Sequence, residues 1–341
     1  MKIVVLDKPR ENKGEIDWSP VSAYGEAIIY EDTPQDMVAE RIGDADAIFV
    51  NKLRIDKDII DKCKNLKFIS VVATGYNKID VKYAAQKGIV VSNVPSYGSK
   101  AIAQHAVALL LEITNHVCLL DKEVRKMRRS SDTDWCFWDK PIIELEYKTM
   151  GVVGLGRIGQ TVAKTALALG MNVIAHDKYE SEEMKKAGVK YVALDELYRN
   201  SDVISLHCPL FEDNADMINE KSIAEMKDGV IIINNSRGGL VDEFALSAAL
   251  KSGKVAAAGI DAVKTEPINE NCPLLSAPNC FITPHISWAS LDCRRRLVKL
   301  AIENLKAFAE ARKRRQRLNY ELYLNEISRL QIQGGDFKLR R

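Results

Sequence analysis

The sequence lacks an excess of charge of either sign. Its 49 Lys and Arg residues nearly balance its 47 Asp and Glu residues, which leaves a formal net charge of +2. So small a net charge gives no general reason to expect nucleic acid or a membrane surface as a partner. The sequence also lacks any apolar run long enough to cross a bilayer. Its first letters, MKIVVLD, are typical of a first strand, whereas a signal peptide needs a longer apolar stretch and a small-residue cleavage site.

Cysteine is sparse, and its spacing shows no recognised pattern. The seven cysteines are odd in number and scattered, and none of them forms a C-x-x-C pair. This distribution argues against a disulfide framework and against a zinc site. We therefore expect reduced thiols, a cytoplasmic protein and no bound metal.

Short apolar runs alternate with amphipathic stretches along most of the chain, which is typical of parallel α/β structure. With 341 residues the chain is long enough for about two domains. A first series of strands is predicted at Ile3–Leu6, Ala27–Tyr30, Ala47–Val50, Phe68–Val72 and Ile89–Ser92. A second series is predicted at Met150–Val153, Val173–His176, Val203–Leu206, Val230–Asn234 and Ala257–Asp261.

Helices are predicted between and after these strands. One begins at Thr33–Pro34, where a threonine N-cap is followed by proline in the first helical position. A long helix from Ser99 to about Thr114 links the two series, and a last one runs from Leu291 to about Arg312. If this last helix packs on the first series, the first domain is discontinuous in sequence.

A glycine-rich turn follows the first strand of the second series. The letters GVVGLGRIG place Gly154, Gly156 and Gly159 between the strand Met150–Val153 and the helical stretch Arg157–Leu169. In a dinucleotide-binding turn the first glycine permits the bend and the second lets a pyrophosphate approach the backbone. The third glycine lets the helix and strand pack closely.

Asp177 follows this turn at the end of the next strand, about 20 residues on. A carboxylate there can accept both ribose hydroxyls of NAD and would repel the 2′-phosphate of NADP. Lys178 leaves some room for the use of both cofactors. The alternative is a structural glycine turn beside a surface aspartate. Strand, turn, helix and acid together favour an NAD site.

Three polar residues follow later strands of the second series. Arg237 follows IIINNS, Glu266 follows the strand that ends at Asp261, and His285 follows FITP. The carboxyl ends of parallel strands collect ligands, so these side chains are expected to converge. A guanidinium can hold the carboxylate and polarise the carbonyl of a keto acid. An imidazole paired with a carboxylate can donate the proton that a developing alkoxide needs.

Each of these residues also has a structural interpretation. An arginine after a strand is often a salt-bridge partner, a glutamate is often a solvated surface charge, and T-P-H is often a turn. The spacing of all three within one strand series favours the catalytic hypothesis. The remaining histidines are expected to be packed or at the surface; they are His105, His116, His176 and His207.

These motifs together resemble the D-isomer-specific 2-hydroxyacid dehydrogenase family. In chain order they are GLGRIG, Asp177, NNSRGGLVD, AAGIDA, TEP and ITPHISW, and the resemblance runs from about Phe68 to about Phe308. Within that family the segments DKPIIEL, EPINENCPLL and PHISWA most resemble the glycerate dehydrogenase (hydroxypyruvate reductase) branch.

The resemblance implies a set of site residues. It implies Arg237, Glu266 and His285 as the catalytic trio. Backbone N–H groups of Thr74, Gly75 and Tyr76, in VATGYN, are implied to hold the substrate carboxylate together with Arg237. Besides the three glycines of the turn, the implied cofactor contacts are Arg157, Ile158, Asp177, Cys208, Pro209, Asn214, Asn235, Ser236 and Asp261.

The resemblance also implies the architecture and the assembly. It implies an α/β protein with two Rossmann-like or flavodoxin-like parallel-sheet domains. The NAD-binding domain, 99–286, is inserted into a substrate-binding domain made of 1–98 and 287–317, and 318–341 form a tail of unknown role. Members of the family usually form dimers through the nucleotide-binding domain. The charged and aromatic segment Asp132–Lys140 is the candidate for reaching a partner subunit, with Trp138 near its active site.

Several functions remain open on this scaffold. The leading hypothesis is NADH-dependent reduction of hydroxypyruvate or glyoxylate to the D-2-hydroxy acid. A D-lactate-type enzyme acting on pyruvate is an alternative. Phosphoglycerate dehydrogenase is less favoured because no regulatory domain follows, and Glu266 argues against a formate dehydrogenase. A protein of another class, an NAD-sensing corepressor that binds proteins, is the further alternative.

The sequence departs from the family in two places. Tyr147 stands in ELEYKTMG where glycine is common. The chain also continues past its last predicted helix with a basic run, Arg312–Arg317, and a partly helical apolar pattern from Leu318 to Leu330. A solvated helix end is the favoured interpretation of the basic run, and an acidic partner is the alternative.

Overall fold

The computed structural model describes residues 1–8, 15–126 and 135–315, with side chains described up to residue 311. The chain divides into two compact units. Unit 1 consists of Met1–Gly98 and the chain from Ser290 onward, and unit 2 consists of Ser99–Ala289. The side chains of the basic run, its residues 316 and 317, and the whole apolar pattern beyond it lie outside what the structure describes.

Unit 1 is built on a parallel sheet of five strands in the order β2-β1-β3-β4-β5. This is the flavodoxin-like strand order that the sequence predicted as one possibility. The strands are β1 (Lys2–Val5), β2 (Glu26–Ile29), β3 (Ala47–Val50), β4 (Phe68–Val71) and β5 (Val90–Ser92). The helices are α1 (Val38–Ile42), α2 (Lys57–Lys62), α3 (Val81–Gln86) and α11 (Leu291–Arg315). Every residue of the central strand β3 and of its neighbour β4 is buried, which explains their mainly apolar sequence.

Unit 2 is built on a parallel sheet of seven strands in the order β12-β11-β10-β9-β6-β7-β8. Counted from its own first strand, this is the Rossmann order with one further strand at the edge. The strands are β6 (Thr149–Val153), β7 (Asn172–His176), β8 (Lys190–Tyr191), β9 (Val203–Leu206), β10 (Val230–Asn234), β11 (Val255–Ile260) and β12 (Cys280–Ile282). The helices are α4 (Ser99–Asn115), α5 (Val117–Arg125), α6 (Arg157–Ala168), α7 (Glu182–Lys186), α8 (Leu194–Asn200), α9 (Glu220–Glu225) and α10 (Glu243–Ser252).

The ten strands predicted from the sequence are all present, with ends displaced by at most two residues. The predicted helix start at Thr33–Pro34 is wrong. Pro34 is extended, with φ −59° and ψ 142°, and a 3-10 turn, Gln35–Met37, precedes α1. The Thr33 hydroxyl donates to the carbonyl of Leu6 and accepts from Arg41 at 2.7 Å. It is therefore committed to the end of β1 and cannot cap a helix.

The last helix, α11, belongs to the core of unit 1. Its Phe308 ring stacks on Phe68 of β4, with ring centroids 4.7 Å apart and planes inclined by 19°. Leu297 and Leu305 of the same helix are fully buried, and the Asn304 amide donates to the Asn93 carbonyl at 3.1 Å. A stretch nearly 300 residues from the N-terminus thus covers the sheet that the N-terminal strands form.

Within the described part of the chain, no single helix is long and apolar enough to span a membrane. Only α4 and α5 taken together pass the same test, and they are bent by 53° at their junction. Nor do the described residues bring three or more His, Cys, Asp or Glu side chains together in a group that could hold a metal ion.

Replacing Phe308 with alanine tests the contribution of the α11 contact. We expect Phe308→Ala to lower the free energy of unfolding of unit 1 by about 3–5 kcal/mol, because it removes a buried ring and leaves a cavity. The matched control is Phe244→Ala, which removes the same ring from a site that is 75% exposed. Urea unfolding monitored by circular dichroism measures the stability of both variants. Equal losses of unfolding free energy in the two variants would contradict the assignment of Phe308 to the core of unit 1.

Candidate active site

The glycine-rich turn lies between β6 and α6. Gly154 has φ +90°, and a Cβ there would lie 2.5 Å from the backbone nitrogen of Cys208. A Cβ on Gly159 would lie 2.1 Å from the Gly154 carbonyl oxygen. Around Gly156, in contrast, a Cβ would meet no atom within 4 Å. Two glycines are therefore needed for packing, and the one between them borders open space, as a turn that admits a pyrophosphate requires.

Asp177 fixes this turn from the end of β7. Its Oδ2 accepts the backbone N–H of Leu155 at 2.6 Å, and its Oδ1 accepts that of Tyr179 at 2.9 Å. The carboxylate is thus held at the edge of the turn, beside the glycines. An anchored acid next to an open, glycine-lined backbone fits the ribose and pyrophosphate of a dinucleotide.

The loops after β9 and β10 hold each other in place. The Ser236 hydroxyl donates to the Cys208 carbonyl at 2.6 Å. The Asn214 amide donates to the Pro209 carbonyl at 2.8 Å and accepts from the Phe211 N–H at 2.7 Å. Burial raises the pKa of the Cys208 thiol to about 11, so this thiol is neutral and lines the site without reacting.

The other predicted cofactor residues lie in the loop after β10 and at the start of α6. The Asn235 amide donates to the Ile102 carbonyl at 2.8 Å, which ties the loop after β10 to α4. Arg157 and Ile158 begin α6, directly after Gly156. Next to the loop after β9, burial lowers the pKa of His207 to about 4, and its ring pairs with Ser205 at 2.8 Å. His207 is therefore a neutral packed residue.

The loops after β11 and β12 bring His285 and Glu266 together. The imidazole Nδ1 lies 2.8 Å from one oxygen of the Glu266 carboxylate and 2.9 Å from the other. Both side chains are partly open to solvent, with 37% and 41% of their surfaces exposed. Burial works against ionisation of Glu266, but the bond from His285 and its charge outweigh burial and hold the pKa of Glu266 below its ordinary value. The carboxylate is therefore charged at neutral pH.

The backbone at His285 is in the left-handed region, with φ +53°. Such a conformation in a residue other than glycine costs about 1–3 kcal/mol and persists only where its surroundings impose it. The His285 N–H donates to the Thr283 carbonyl at 2.9 Å, and the Trp288 indole N–H donates to the His285 carbonyl at 2.9 Å. These two bonds fix the turn that directs the imidazole toward Glu266.

Asp261 lies fully buried beneath this turn. Its carboxylate accepts the backbone N–H groups of Ile286 and Ser287, each at 2.9 Å, and the hydroxyls of Thr283 and Ser287. Burial opposes the charge, but these hydrogen bonds outweigh it and lower the pKa of Asp261. In the structure this residue, a predicted cofactor contact, directs both carboxylate oxygens to the histidine loop.

Arg237 follows β10 and belongs to the same edge of the sheet. Its guanidinium donates to the Ser236 carbonyl at 2.8 Å. Its positive charge is among the influences that lower the pKa of Glu266. Unit 2 thus brings the glycine turn, Arg237, Glu266 and His285 to the carboxyl ends of one set of parallel strands.

Thr74, Gly75 and Tyr76 belong to unit 1, after β4. The Thr74 hydroxyl donates to the Val94 carbonyl at 3.1 Å, and the Thr74 carbonyl accepts from the Asn93 amide at 2.8 Å. These bonds tie the loop after β4 to the loop after β5. The segment is thereby held at the carboxyl edge of the unit 1 sheet.

Three side chains that support the site escaped the sequence analysis. His105 was expected to be simply packed or exposed, but its Nε2 lies 3.1 Å from the Thr283 hydroxyl. Trp288 holds the His285 carbonyl, and Glu243 contacts the loop that carries Glu266. Only Trp288 lay within a motif already noted, PHISWA, so for it a signal was available.

Known proteins resemble this chain over most of its length. The family model described as "D-isomer specific 2-hydroxyacid dehydrogenase, NAD binding domain" matches residues 107–287. A hydroxypyruvate reductase of Blautia hydrogenotrophica is 51% identical over 311 residues, which cover 90% of this chain and 97% of that protein.

The chain belongs to the D-isomer-specific 2-hydroxyacid dehydrogenase family.

Two further relatives agree with this membership. A glycerate dehydrogenase of Methylorubrum extorquens is 34% identical, over 90% of this chain and 96% of that protein. The crystal structure of a D-lactate dehydrogenase from Aquifex aeolicus, complexed with NAD and lactic acid, superposes with a TM-score of 0.80 at 30% identity. The superposition covers 90% of this chain and 95% of the D-lactate dehydrogenase chain.

Family membership confirms the main predictions made from the sequence. The resemblance, the pair of parallel α/β sheets and the class of enzyme, an NAD-dependent D-2-hydroxyacid dehydrogenase, are all supported. The residues matched by the NAD-binding model include the glycine turn and Asp177. NAD is therefore the cofactor that unit 2 binds.

Gly156→Ala separates cofactor binding from folding. We expect this variant to keep its melting temperature, because a Cβ at Gly156 meets no protein atom. Its affinity for NADH should fall about tenfold or more, because the added methyl group obstructs the close approach of the pyrophosphate. Gly159→Ala is the comparison, since it clashes with the backbone and should lower stability as well. Fluorescence titration with NADH and thermal melts measure the two effects; unchanged NADH affinity in Gly156→Ala would contradict this role.

Proposed function

We propose that the protein uses NADH to reduce hydroxypyruvate or glyoxylate to the corresponding D-2-hydroxy acid. The observation that carries this proposal is the His285–Glu266 pair, whose bond at Nδ1 leaves Nε2 as the ring nitrogen that can face a substrate. The names of two relatives support the choice of substrate, since one is a hydroxypyruvate reductase and another a glycerate dehydrogenase.

Each member of the trio has a distinct role in the proposed reaction. Bound NADH supplies the hydride. Arg237 binds the carboxylate of the keto acid and polarises its carbonyl with a planar, permanently charged group. His285 donates the proton from Nε2 to the carbonyl oxygen, which becomes the hydroxyl of the product. Glu266 orients the ring through its contact with Nδ1.

We assign unit 1, with the helix in 287–317, to substrate binding and the inserted 99–286 to NAD. Backbone N–H groups of Thr74, Gly75 and Tyr76 would hold the substrate carboxylate, because a turn after a strand presents donors to an anion. Asp177 would accept the ribose hydroxyls, which favours NAD over NADP. The other proposed cofactor contacts are Gly154, Gly156, Arg157, Ile158, Gly159, Cys208, Pro209, Asn214, Asn235, Ser236 and Asp261.

We further propose that the protein is a cytoplasmic homodimer that associates through unit 2. The seven cysteines are all free, which suits a reducing compartment. Between residues 117 and 142, unit 2 carries several large apolar side chains that are exposed in the single chain, and a partner subunit would cover them. These exposed residues are Val117, Val124, Trp135, Trp138 and Ile142.

Reduction of pyruvate is the second candidate. The structural neighbour from Aquifex aeolicus is a D-lactate dehydrogenase complexed with lactic acid, and its product differs from D-glycerate by one hydroxyl. The two activities are therefore distinguished by rate constants measured on both keto acids.

Oxidation of NADH in the presence of hydroxypyruvate, glyoxylate, pyruvate and 3-phosphohydroxypyruvate tests the proposal. We expect the highest kcat/KM with hydroxypyruvate or glyoxylate, and a loss of about 10²–10⁴-fold in kcat for His285→Ala, because the proton donor is gone. His116→Ala, which removes an imidazole elsewhere in unit 2, should keep full activity. Measurable NADH binding without turnover of any of the four acids would refute the enzyme hypothesis and favour the NAD-sensing alternative.

Trp138→Ala tests the proposed dimer. Trp138 is 62% exposed in the single chain, and we expect its loss to raise KM for the keto acid or to shift the protein toward monomer. The control is Tyr147→Ala, which removes an aromatic ring that is 79% exposed in unit 2 and lies outside the proposed dimer surface. Steady-state kinetics and analytical ultracentrifugation measure the two effects. An unchanged KM together with an unchanged sedimentation coefficient would rule out this role for Trp138.

A further inference from the structure

The first residue of α10, Glu243, directs its carboxylate to a neighbouring loop. Its Oε1 accepts the backbone N–H of Lys264 at 2.8 Å. Its Oε2 lies 3.6 Å from the Cys272 sulfur, within hydrogen-bonding distance of the thiol. Burial and the neighbouring Glu243 carboxylate raise the pKa of Cys272, so the thiol keeps the proton that it donates.

These two contacts lie on either side of Glu266. The loop between β11 and the 3-10 turn Pro273–Ser276 carries Glu266. Lys264 precedes Glu266 by two residues, and Cys272 follows it by six. One carboxylate on a helix therefore holds both arms of the loop that carries the partner of His285.

The arm that precedes Glu266, which includes Lys264, also contacts the segment next to Arg237. The backbone of Val263 and Lys264 lies directly on Gly238, where a Cβ would come within 2.0 Å of the Val263 carbonyl carbon. Gly238 follows Arg237 in the chain. The backbone N–H of Val263 is in addition one of the donors that lower the pKa of Glu266. A shift of this arm would therefore move the support of Glu266 and its position relative to Arg237 together.

A partly open pocket separates the start of α10 from this loop. Its volume is about 160 Å³, and both Glu243 and Cys272 line it. On this side fewer packed atoms fix the position of the loop. The two hydrogen bonds to Glu243 therefore contribute to holding it.

We propose that Glu243 is a positioning residue for the reaction, because it sets the place of Glu266 and hence the orientation of His285. This inference rests on the proposed function, in which His285 donates the proton. The Glu243 carboxylate contacts the loop and takes no part in proton transfer. Its contribution is to keep Glu266 within hydrogen-bond distance of Nδ1.

The test compares Glu243→Ala with Glu243→Gln. The alanine variant loses both contacts and should lower kcat about 10- to 100-fold, as a displacement of about 1 Å in a catalytic group does. The glutamine variant keeps an acceptor for the Lys264 N–H and should recover most of the activity. Glu220→Ala is the matched control, since Glu220 is an exposed acid at the same first position of α9. It should leave kcat unchanged.

A double-mutant cycle with Glu266→Gln separates positioning from general destabilisation. If Glu243 acts through Glu266, Glu243→Ala should cost little further kcat once Glu266 has been replaced. Equal losses in the wild-type and Glu266→Gln backgrounds would overturn the proposal. No loss of kcat in a folded Glu243→Ala protein would overturn it as well.

The imidazole signal of His285 gives a readout that does not depend on turnover. The chain has only five histidines, so the NMR spectrum of protein labelled with 15N-histidine can be assigned through His285→Ala. We expect the His285 signal to shift in Glu243→Ala and to keep its position in Glu243→Gln and Glu220→Ala. Cys272→Ala, which removes the outer contact alone, should shift it less in the same direction, and it carries the test if Glu243→Ala does not fold.

The two proposals fail in different ways. If the wild-type protein reduces none of the four keto acids, the proposed function fails, while the imidazole signal still tests the role of Glu243. If the wild-type protein is active but the signal of His285 stays the same in Glu243→Ala and Cys272→Ala, the positioning role fails alone.

Discussion

A buried negative charge, the carboxylate of Asp261, holds the loop that carries the His285 imidazole. A charge inside a protein is costly unless hydrogen bonds replace the water it has lost. Here the replacements all come from residues 283–287, so the loop and the charge stabilise each other. The left-handed backbone of His285 is a consequence of this arrangement, because Thr283 before it and Ile286 after it are both hydrogen-bonded to the Asp261 carboxylate. The pairing of His285 with Glu266 depends in the same way on the conformation of this loop.

The fold and the chemical groups of the site were predictable because local sequence determines them. The strands of unit 2 are continuous apolar runs, and this follows from burial on both faces of a parallel sheet. Gly154 and Gly159 lie where no side chain fits, so they are visible as glycines in the sequence. Arg237, Glu266 and His285 each lie in the loop that follows a strand, and parallel topology brings the ends of such strands together.

The sequence was uninformative where one side chain serves a distant backbone group. Glu243 is indistinguishable from an ordinary acid in the first turn of a helix until its contact with the N–H of Lys264 is seen. Thr33 looks like an N-cap, but its hydroxyl is used by a strand end. Tyr147 was an unexplained departure from a common glycine; its backbone has φ +63°, a conformation that glycine adopts without strain. Such facts depend on tertiary contacts that periodicity does not encode.

The insertion of unit 2 into unit 1 affects how the chain can fold as it is synthesised. Phe68 emerges from the ribosome 240 residues before Phe308, the ring that covers it. At about 5–20 residues per second this interval lasts roughly 10–50 seconds, far longer than hydrophobic collapse takes. During that time an apolar sheet face stands open while the whole of unit 2 is made and can fold. The nascent first unit therefore exposes apolar surface of the kind that is prone to aggregation, and it can close only after unit 2 has been synthesised.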